Sequence, residues 1–217
     1  INKMYKKTKR IFDLIFIIFF SPIIIITTFT VGLIIKLTDL NNDIFYKQER
    51  VGKDGKLFTI YKFRTMIKND NYGTNAVSTS IDDQRITKIG KFLRKHRLDE
   101  FPQFFNVLIG DMSIIGPRPE QKVFVEKLSL RLKNYNTRLN VKPGITGLAQ
   151  IKHGYTSGNI DEEEKKLKYD IKYINHITFY NDIKILFNSI FVVLFGVGSR
   201  WIQLYLLLVV QDILDLM

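Results

Sequence analysis

Cysteine is absent from the 217-residue chain, and acidic residues are scarce beside basic ones. The first absence excludes disulfides, thiolate nucleophiles and cysteine-based zinc sites, and it fits a reducing compartment. Histidine offers no substitute metal site, because His153 and His176 lack the spacing of metal ligands. The chain also lacks Gly/Ser-rich linkers, internal repeats and low-complexity tracts, so its length predicts one ordinary domain with an appendage.

The charge imbalance favours an anionic partner. Lysine and arginine number 33 against 21 acidic residues, which gives a formal net charge of +12. Such an excess is typical of proteins that meet nucleic acid, an anionic membrane surface or a phosphorylated substrate. Composition alone leaves all three partners open.

A long apolar run lies near the start of the chain. Residues 14–35 read LIFIIFFSPIIIITTFTVGLII and contain no charge. About 20 apolar residues suffice to span a bilayer, so the run predicts membrane contact rather than a buried core helix. A cleaved signal peptide fits poorly, because the run is too long and no small-residue cleavage site follows it.

The run has two features of a segment that enters and leaves the membrane by one face. Ser21-Pro22 lies near its middle. Proline removes a helix hydrogen bond and kinks the helix, and a neighbouring serine can bind the freed backbone group. Both flanks, residues 3–10 and 36–53, are rich in lysine and arginine, which favours the cytoplasmic side for each. We therefore predict a re-entrant helix-break-helix rather than a full span.

A β-hairpin is predicted directly after the membrane segment. Residues 44–48 and 57–63 are β-prone runs on either side of Asp54-Gly55, and Asp-Gly between such runs is a hairpin signal. Because side chains alternate along a strand, Lys62 and Arg64 project from one face. A solvated strand face is the alternative interpretation of these two cations.

An acid pair follows a strongly basic helix. Residues 85–97 have helical apolar spacing and carry six lysines and arginines, and Asp99 and Glu100 come next. Adjacent helical residues do not face each other, so the two acids are expected to have different roles and not to share a proton. Nearby cations are expected to lower the pKa of a carboxylate, which suits a nucleophile or a metal ligand. A divalent metal beside arginine and lysine is also what phosphoryl transfer requires, although a basic run is often just a solvated face.

Four segments, in order, resemble a known family. They are KRIFD…SP (residues 9–22), YKFRTM (61–66), LDEFPQFFNVLIGDMSIIGPRPE (98–120) and VKPGITGLAQI (141–151). Together they resemble the bacterial sugar transferases, which are monotopic phosphoglycosyl transferases acting on polyprenyl phosphate. The resemblance covers roughly residues 5–198.

The resemblance implies an enzyme on the cytoplasmic face of the bacterial inner membrane. Its donor would be a UDP-sugar and its acceptor undecaprenyl phosphate, with inner-membrane lipid as a further partner, no nucleic acid, and Mg²⁺ as cofactor. In the implied mechanism an aspartate attacks the sugar-bearing phosphate, releases UMP and forms a covalent phosphosugar-aspartate, which the acceptor then attacks. This would be the first membrane step of capsule, exopolysaccharide, O-antigen or glycoprotein glycan assembly.

The resemblance also implies the site residues. Asp99 matches the nucleophile and Glu100 its partner in metal or phosphate positioning, and both are candidate Mg²⁺ ligands. Ser21 and Pro22 match the break in the membrane segment. The candidate substrate-binding residues are Lys62, Arg64, Arg94, Pro117, Arg118, Pro119, Lys142 and Asp170.

The chain departs from the family's pattern at two of the matched positions. At Lys142 many relatives carry arginine, and a lysine keeps the charge but loses the bidentate geometry. At Leu148 many relatives carry tryptophan, so any stacking role of that ring is unfilled.

The expected fold is α+β and mainly helical. It combines an N-terminal re-entrant membrane helix-break-helix, a small β-hairpin, and interfacial amphipathic helices around a cytoplasmic-face active site. The expected divisions are a membrane anchor (1–40), a catalytic sugar-transferase domain (41–198) and an apolar C-terminal tail (199–217) that matches nothing in the family.

Two other functions fit part of the sequence. One is a membrane-embedded phosphohydrolase, in which water replaces the lipid acceptor. The other is a non-catalytic module that binds anionic surfaces, which accounts for the charge and the anchor but not for the acid pair. Within the transferase interpretation, glucose, galactose and N-acetylated or amino sugars all fit, and the oligomeric state is open.

Overall fold

The computed structural model describes residues 3–67, 83–153 and 159–195, so the predicted tail at 199–217 lies outside the described residues. Its α-helices are α1 (Lys3–Thr38), α2 (Lys88–Lys95), α3 (Gln103–Ile109), α4 (Lys122–Arg131), α5 (Leu148–Lys152), α6 (Ile160–Asn175) and α7 (Phe179–Phe195). Its strands are β1 (Phe45–Val51), β2 (Leu57–Phe63), β3 (Ser113–Ile115) and β4 (Gly144–Thr146). Short 3₁₀ turns lie at Lys53–Gly55, Leu98–Glu100 and Tyr135–Asn140. The mainly helical α+β prediction is confirmed.

The predicted β-hairpin is present. β1 and β2 pair antiparallel from Phe45↔Phe63 to Val51↔Leu57, so the first strand starts one residue later and ends later than predicted. The connecting turn uses the left-handed region at Asp54 (φ 56°) and Gly55 (φ 77°). Aspartate and glycine tolerate that region better than other residues, which is why the Asp-Gly signal located the turn.

A second, parallel pair of strands was not predicted. β3 and β4 have three residues each and pair from Ser113↔Gly144 to Ile115↔Thr146. The two backbones come so close that a Cβ on Gly144 would lie 2.1 Å from the amide nitrogen of Gly116. Strands this short leave no periodic pattern in a sequence, and they matter here because the Pro-Arg-Pro triplet follows β3 after a single residue, Gly116.

The membrane segment forms one helix. α1 runs from Lys3 to Thr38 with Pro22 inside it, so the expected break at Ser21-Pro22 is not found. Pro22 has no amide hydrogen for the carbonyl of Ile18, four residues earlier. The Ser21 hydroxyl donates to that carbonyl at 2.8 Å and replaces the missing bond. The prediction that the serine binds the freed backbone group is confirmed, whereas the re-entrant arrangement is not.

Both ends of α1 pack against the same globular body. Near the first end, the Asp13 carboxylate accepts hydrogen bonds from the Ser113 hydroxyl (3.1 Å) and the Ile114 amide (3.2 Å). Near the other end, Val31 and Ile35 join a buried cluster that also contains Phe63 and Leu93. Both ends of the helix are therefore attached to the same folded domain.

The middle of α1 is largely exposed among the residues that the structure describes. Large apolar side chains there are more than half exposed, namely Ile18, Phe19, Ile23, Ile25, Ile26 and Phe29. Within the described residues, α1 contains the one segment long and apolar enough to cross a membrane, Thr8–Thr38, with a mean hydropathy of 2.6. Exposed apolar side chains on this scale mark a surface that contacts a membrane or another apolar partner.

The last helix adds a second apolar surface and closes onto α1. α7 exposes large apolar side chains, among them Phe187, Phe191, Leu194 and Phe195. At its start, fully buried Asp182 accepts hydrogen bonds from the hydroxyls of Tyr5 (2.8 Å) and Tyr173 (2.8 Å) and pairs with Lys9. The carboxylate thus ties α1, α6 and α7 together. That α7 is an interfacial amphipathic helix stays a prediction.

Candidate active site

The chain delivers the acid pair through a turn between two helices. Thr87 caps the start of α2, and its hydroxyl accepts a hydrogen bond from the Gly90 amide at 2.9 Å. It lies so close to the chain after β2 that a Cβ on Gly90 would come within 2.1 Å of the Thr65 carbonyl oxygen. After α2, Arg97 takes the left-handed region (φ 53°) and turns the chain into the 3₁₀ turn that carries Asp99 and Glu100.

Glu100 is held by two cations. Its side chain is almost fully buried, and its two oxygens accept one hydrogen bond each from the Arg118 guanidinium, at 2.7 and 3.0 Å. Lys62 on β2 lies 3.6 Å from the same carboxylate. Burial, and then the charge of Arg118, lowers the pKa of Lys62 to about 8. A bidentate arginine–carboxylate pair fixes both partners in orientation as well as in charge.

Asp99 stands beside this cluster without joining it. The residue is 6% exposed, and its Oδ1 atom has no hydrogen-bond partner in the described part of the chain. Arg94, one turn back on α2, donates from Nε to the Thr65 hydroxyl at 2.9 Å rather than to Asp99. A buried carboxylate oxygen without a partner is costly, so this atom is the natural contact for a bound substrate or metal ion.

The electrostatics of the pair reverse one expectation. Burial, followed by the neighbouring charge of Glu100, raises the pKa of Asp99 to about 6. Burial would raise the pKa of Glu100 as well, but Arg118 and Lys62 outweigh it and hold that pKa well below the usual range. Lys62, Arg118 and Arg94 do lower the pKa of Asp99, as expected, but burial and the charge of Glu100 outweigh them and the net shift is upward.

The Pro-Arg-Pro triplet is held by its backbone. The carbonyl of Pro117 accepts from the Gly144 amide (2.9 Å), that of Arg118 from the Arg138 guanidinium (2.8 Å), and that of Pro119 from the Arg50 guanidinium (3.3 Å). Neither proline has an amide hydrogen that would need a partner. The segment is thereby fixed, and the Arg118 side chain reaches Glu100.

Asp170 lies behind the triplet rather than at the acid pair. Its carboxylate forms an ion pair with Arg138 at 3.0 Å, and both side chains are less than 5% exposed. Arg138 also donates to the Tyr135 hydroxyl (2.6 Å) and to the Arg118 carbonyl (2.8 Å). Asp170 is therefore linked to the acid pair through two intermediate residues, Arg138 and Arg118, and its predicted contact with substrate stays a prediction.

Two of the sequence-predicted cations lie elsewhere. Arg64 pairs with Asp39 at 2.7 Å, in the loop that follows α1. Lys142 lies at the end of α3, where a Cβ on Gly110 would be 3.5 Å from its Nζ atom and 3.7 Å from the Arg10 guanidinium. The structure thus brings Lys62, Arg118 and, at slightly longer range, Arg94 to the acid pair, but neither Arg64 nor Lys142.

One polar side chain near the pair was missed from the sequence. Gln103, one turn after Glu100, is fully buried, and neither of its amide atoms has a hydrogen-bond partner among the described residues. One turn further on, Asn106 binds the backbone of β2 through the Tyr61 amide (3.1 Å) and the Thr59 carbonyl (2.7 Å). The sequence signal for these residues is two amide side chains at helical spacing inside the apolar stretch FPQFFNVLIG. A motif search for charged residues passes over it.

The acid pair offers few side chains that could bind a metal ion. Within the described ranges, no group of three or more His, Cys, Asp or Glu side chains could hold one. Mg²⁺ nevertheless binds to phosphorylated substrates through one or two carboxylates, with phosphate oxygens and waters as the other ligands. The Oδ1 atom of Asp99 fits that role, whereas Glu100 fits it only after releasing an oxygen from Arg118.

The acid pair lies in a membrane-associated domain and is buried. Arginine and lysine hold one member, and the other has an oxygen without a hydrogen-bond partner among the described residues. Such a site is suited to anionic phosphate substrates. The model of the bacterial sugar transferase family matches residues 4–196. The chain therefore belongs to the bacterial sugar transferase family.

Three relatives illustrate the range of the family. An Aeromonas hydrophila UDP-N-acetylgalactosamine-undecaprenyl-phosphate N-acetylgalactosaminephosphotransferase is 42% identical over 182 residues, covering 83% of this chain and 41% of that protein. A Klebsiella pneumoniae UDP-glucose:undecaprenyl-phosphate glucose-1-phosphate transferase is 38% identical over 194 residues, covering 88% of this chain and 40% of that protein. An uncharacterized sugar transferase of Bacillus subtilis, EpsL, is 39% identical and is covered over 90% of its length. This chain thus spans about two fifths of the length of the first two relatives.

Proposed function

We propose that this protein transfers a sugar 1-phosphate from a UDP-sugar to undecaprenyl phosphate and thereby starts the assembly of a bacterial polysaccharide or glycan. The observation that carries the proposal is the acid pair, in which Asp99 keeps a free, buried oxygen while Glu100 holds Arg118 and Lys62 in place. The names of the Aeromonas and Klebsiella relatives support the donor and acceptor classes.

In the first step, a carboxylate oxygen of Asp99 attacks the phosphorus that bears the sugar. A new O–P bond forms, the bridging P–O bond of the diphosphate breaks, and UMP leaves with the bonding electron pair. Arg118 and Lys62 stand beside the reacting phosphate and offset the charge that develops on its oxygens. The raised pKa of Asp99 makes its carboxylate a better nucleophile while leaving it mostly ionised at neutral pH.

In the second step, a phosphate oxygen of undecaprenyl phosphate attacks the same phosphorus. The bond between the phosphorus and Asp99 breaks, the carboxylate is restored, and the sugar leaves on a lipid-linked pyrophosphate. A covalent intermediate lets the two anionic substrates react one after the other, so their phosphates need not share one site at the same time.

Mg²⁺ belongs to the proposal as the cofactor. Asp99 would hold it together with the phosphates of the donor, and Glu100 would take part only by releasing one of its arginine contacts. When bound, the ion neutralises phosphate charge and favours departure of UMP.

The proposed membrane topology places both ends of α1 on the cytoplasmic side of the inner membrane. The attachment of both ends to the same domain supports it, because the ends of a spanning helix lie on opposite faces. The basic flanks of the apolar run support the cytoplasmic side. In this arrangement the exposed middle of α1 enters the bilayer without crossing it.

The deciding experiment measures UMP release from UDP-sugars with and without undecaprenyl phosphate. Without acceptor, one UMP per active site is expected as a burst; with acceptor, turnover is expected. Asp99→Asn should lower both by roughly a thousandfold or more, as loss of a nucleophile does. Asp161→Asn, at an exposed aspartate at the start of α6, is the matched control and should behave like the unmodified protein.

Three outcomes would contradict the proposal. Unchanged turnover in Asp99→Asn would remove the nucleophile. Free sugar phosphate formed without any acceptor would indicate a phosphohydrolase. Salt-sensitive binding to anionic surfaces, with no UMP from any donor, would indicate a binding module. A panel of UDP-sugars in the same assay selects the sugar, because relatives of similar identity are named for different sugars.

A further inference from the structure

A cleft separate from the acid pair lies where α1 ends. Its volume is about 310 Å³, and it is enclosed by the end of α1, the chain after β2 and the start of α2. This volume is in the range of pockets that bind small molecules, and it is larger than a single phosphate group needs. Its walls are the apolar side chains of Ile35, Ile67 and Ile89 and the polar side chains of Thr38, Arg64 and Lys88.

The cleft combines positive charge with apolar walls. Arg64 is kept in place by Asp39, at 2.7 Å. Lys88 is exposed, and it makes no ion pair within the part of the chain that the structure describes. Two cations against one acid leave a net positive charge beside three isoleucines. Such a site is complementary to an anionic group that carries an apolar chain.

The cleft also lies at the edge of the membrane-facing surface. Ile35 and Thr38 lie in the last turns of α1, where Ile34 and Leu37 are exposed. The uncharged run ends at Ile35 and Lys36 follows it. In the proposed membrane topology, this end of α1 and the cleft beside it lie at the head-group level.

The cleft adjoins the acid pair along β2. Arg64 follows two residues after Lys62, which pairs with Glu100. Two residues of extended chain cover about 7 Å. The next residue, Thr65, binds Arg94 through its hydroxyl and the Thr87 amide through its carbonyl, so the wall of the cleft is continuous with the wall of the catalytic site.

We infer that this cleft binds the phosphate head group and the first isoprene units of the polyprenyl phosphate acceptor. Arg64 and Lys88 bind the phosphate, and the three isoleucines contact the hydrocarbon. The inference rests on the proposed function and adds to it the place where the second substrate waits while the donor phosphates occupy the acid pair. The uridine nucleotide has no apolar chain to match these walls.

The test uses the full chain in lipid nanodiscs and compares Lys88→Gln and Lys88→Glu with the unmodified protein. Loss of the charge should raise the KM for undecaprenyl phosphate about fivefold, and reversal should raise it further. The burst of UMP without acceptor is the reference reaction and should keep its rate and amplitude. Lys88→Arg keeps the positive charge, so its KM for undecaprenyl phosphate should match that of the unmodified protein. Lys91→Glu, on the same helix but outside the cleft, is the matched control.

Each result has a distinct meaning. An acceptor KM that stays within twofold of the reference in both Lys88 variants, with a normal burst, overturns the inference and leaves the proposed function intact. No burst in the unmodified protein overturns the proposed function first. Nanodiscs with and without phosphatidylglycerol distinguish the acceptor from anionic lipid in general. If phosphatidylglycerol competes for the cleft as well as undecaprenyl phosphate binds to it, the cleft binds anionic lipid in general, contrary to the inference.

Discussion

The Asp99 carboxylate should titrate far above an ordinary aspartate, and Glu100 should be one of the reasons. Burial raises the pKa of Asp99 first, and the negative charge of Glu100 raises it next, from 3.8 to about 6. The informative perturbation is Glu100→Gln, which keeps the shape of the side chain and removes its charge. Because the substitution also releases Arg118 and Lys62 from their carboxylate, it leaves two cations close to Asp99.

The direction of the effect follows from the sign of each charge. Only the ionised carboxylate attacks phosphorus, so the rate of UMP release falls about tenfold for each pH step below the pKa. Removing a like charge and exposing two opposite charges both favour the ionised form, so the pKa of Asp99 should fall by about 1 or more. The acid limb of the pH profile should then move to lower pH in Glu100→Gln, even if the maximal rate is lower.

Two assays measure this shift independently. The first is single-turnover UMP release as a function of pH. The second is a carboxyl ¹³C NMR titration of aspartate-labelled protein, in which comparison with Asp99→Asn identifies the resonance, and it does not depend on activity. Glu126→Gln, at an exposed glutamate on α4, controls for the loss of one negative charge. A pKa of Asp99 near 3.8 in the unmodified protein, or a higher pKa in Glu100→Gln, would refute the reasoning.

Two further predictions concern the scaffold and the membrane. Asp170→Asn should leave buried Arg138 without its anionic partner and lower the free energy of unfolding by about 3 kcal/mol, measured by denaturant titration. Adding Arg138→Met should recover that stability. Loss of donor affinity without loss of stability would instead make Asp170 a substrate contact. Thr8→Cys and Leu40→Cys in this cysteine-free chain should both resist an impermeant maleimide applied outside intact cells and react after the cells are opened, whereas labelling of one alone from outside would mean that α1 spans the membrane.

Features that depend on neighbouring residues were predictable. The hairpin was located because Asp54 and Gly55 accept a left-handed backbone and the runs beside them favour strands. The uncharged run before residue 36 indicated a membrane helix because length and composition alone decide membrane contact. The different partners of Asp99 and Glu100 followed from the rule that adjacent side chains diverge.

Other features depended on contacts between distant residues, and these were missed or misjudged. The break expected at Pro22 is a local exception: α1 continues through the proline, and the Ser21 hydroxyl bonds the carbonyl of Ile18, only three residues away. Asp170 is paired with Arg138 behind the Pro-Arg-Pro triplet, and Arg64 lies beside Asp39 in the separate cleft rather than at the acid pair. The short strands β3 and β4 are stabilised by pairing across the chain and have no local pattern.

The sequence by itself determined the class of protein: a cysteine-free, basic chain with a membrane segment, an acid pair and a Pro-Arg-Pro triplet, whose family follows from the order of its motifs. Only the tertiary structure decided which of the two acids, Asp99 or Glu100, the cations contact. Desolvation and Coulomb energy depend on distance in space, and Arg118 and Lys62 reach Glu100 only after β2, the 3₁₀ turn and the segment after β3 have come together. The same fold leaves Asp99 with a free oxygen and a raised pKa.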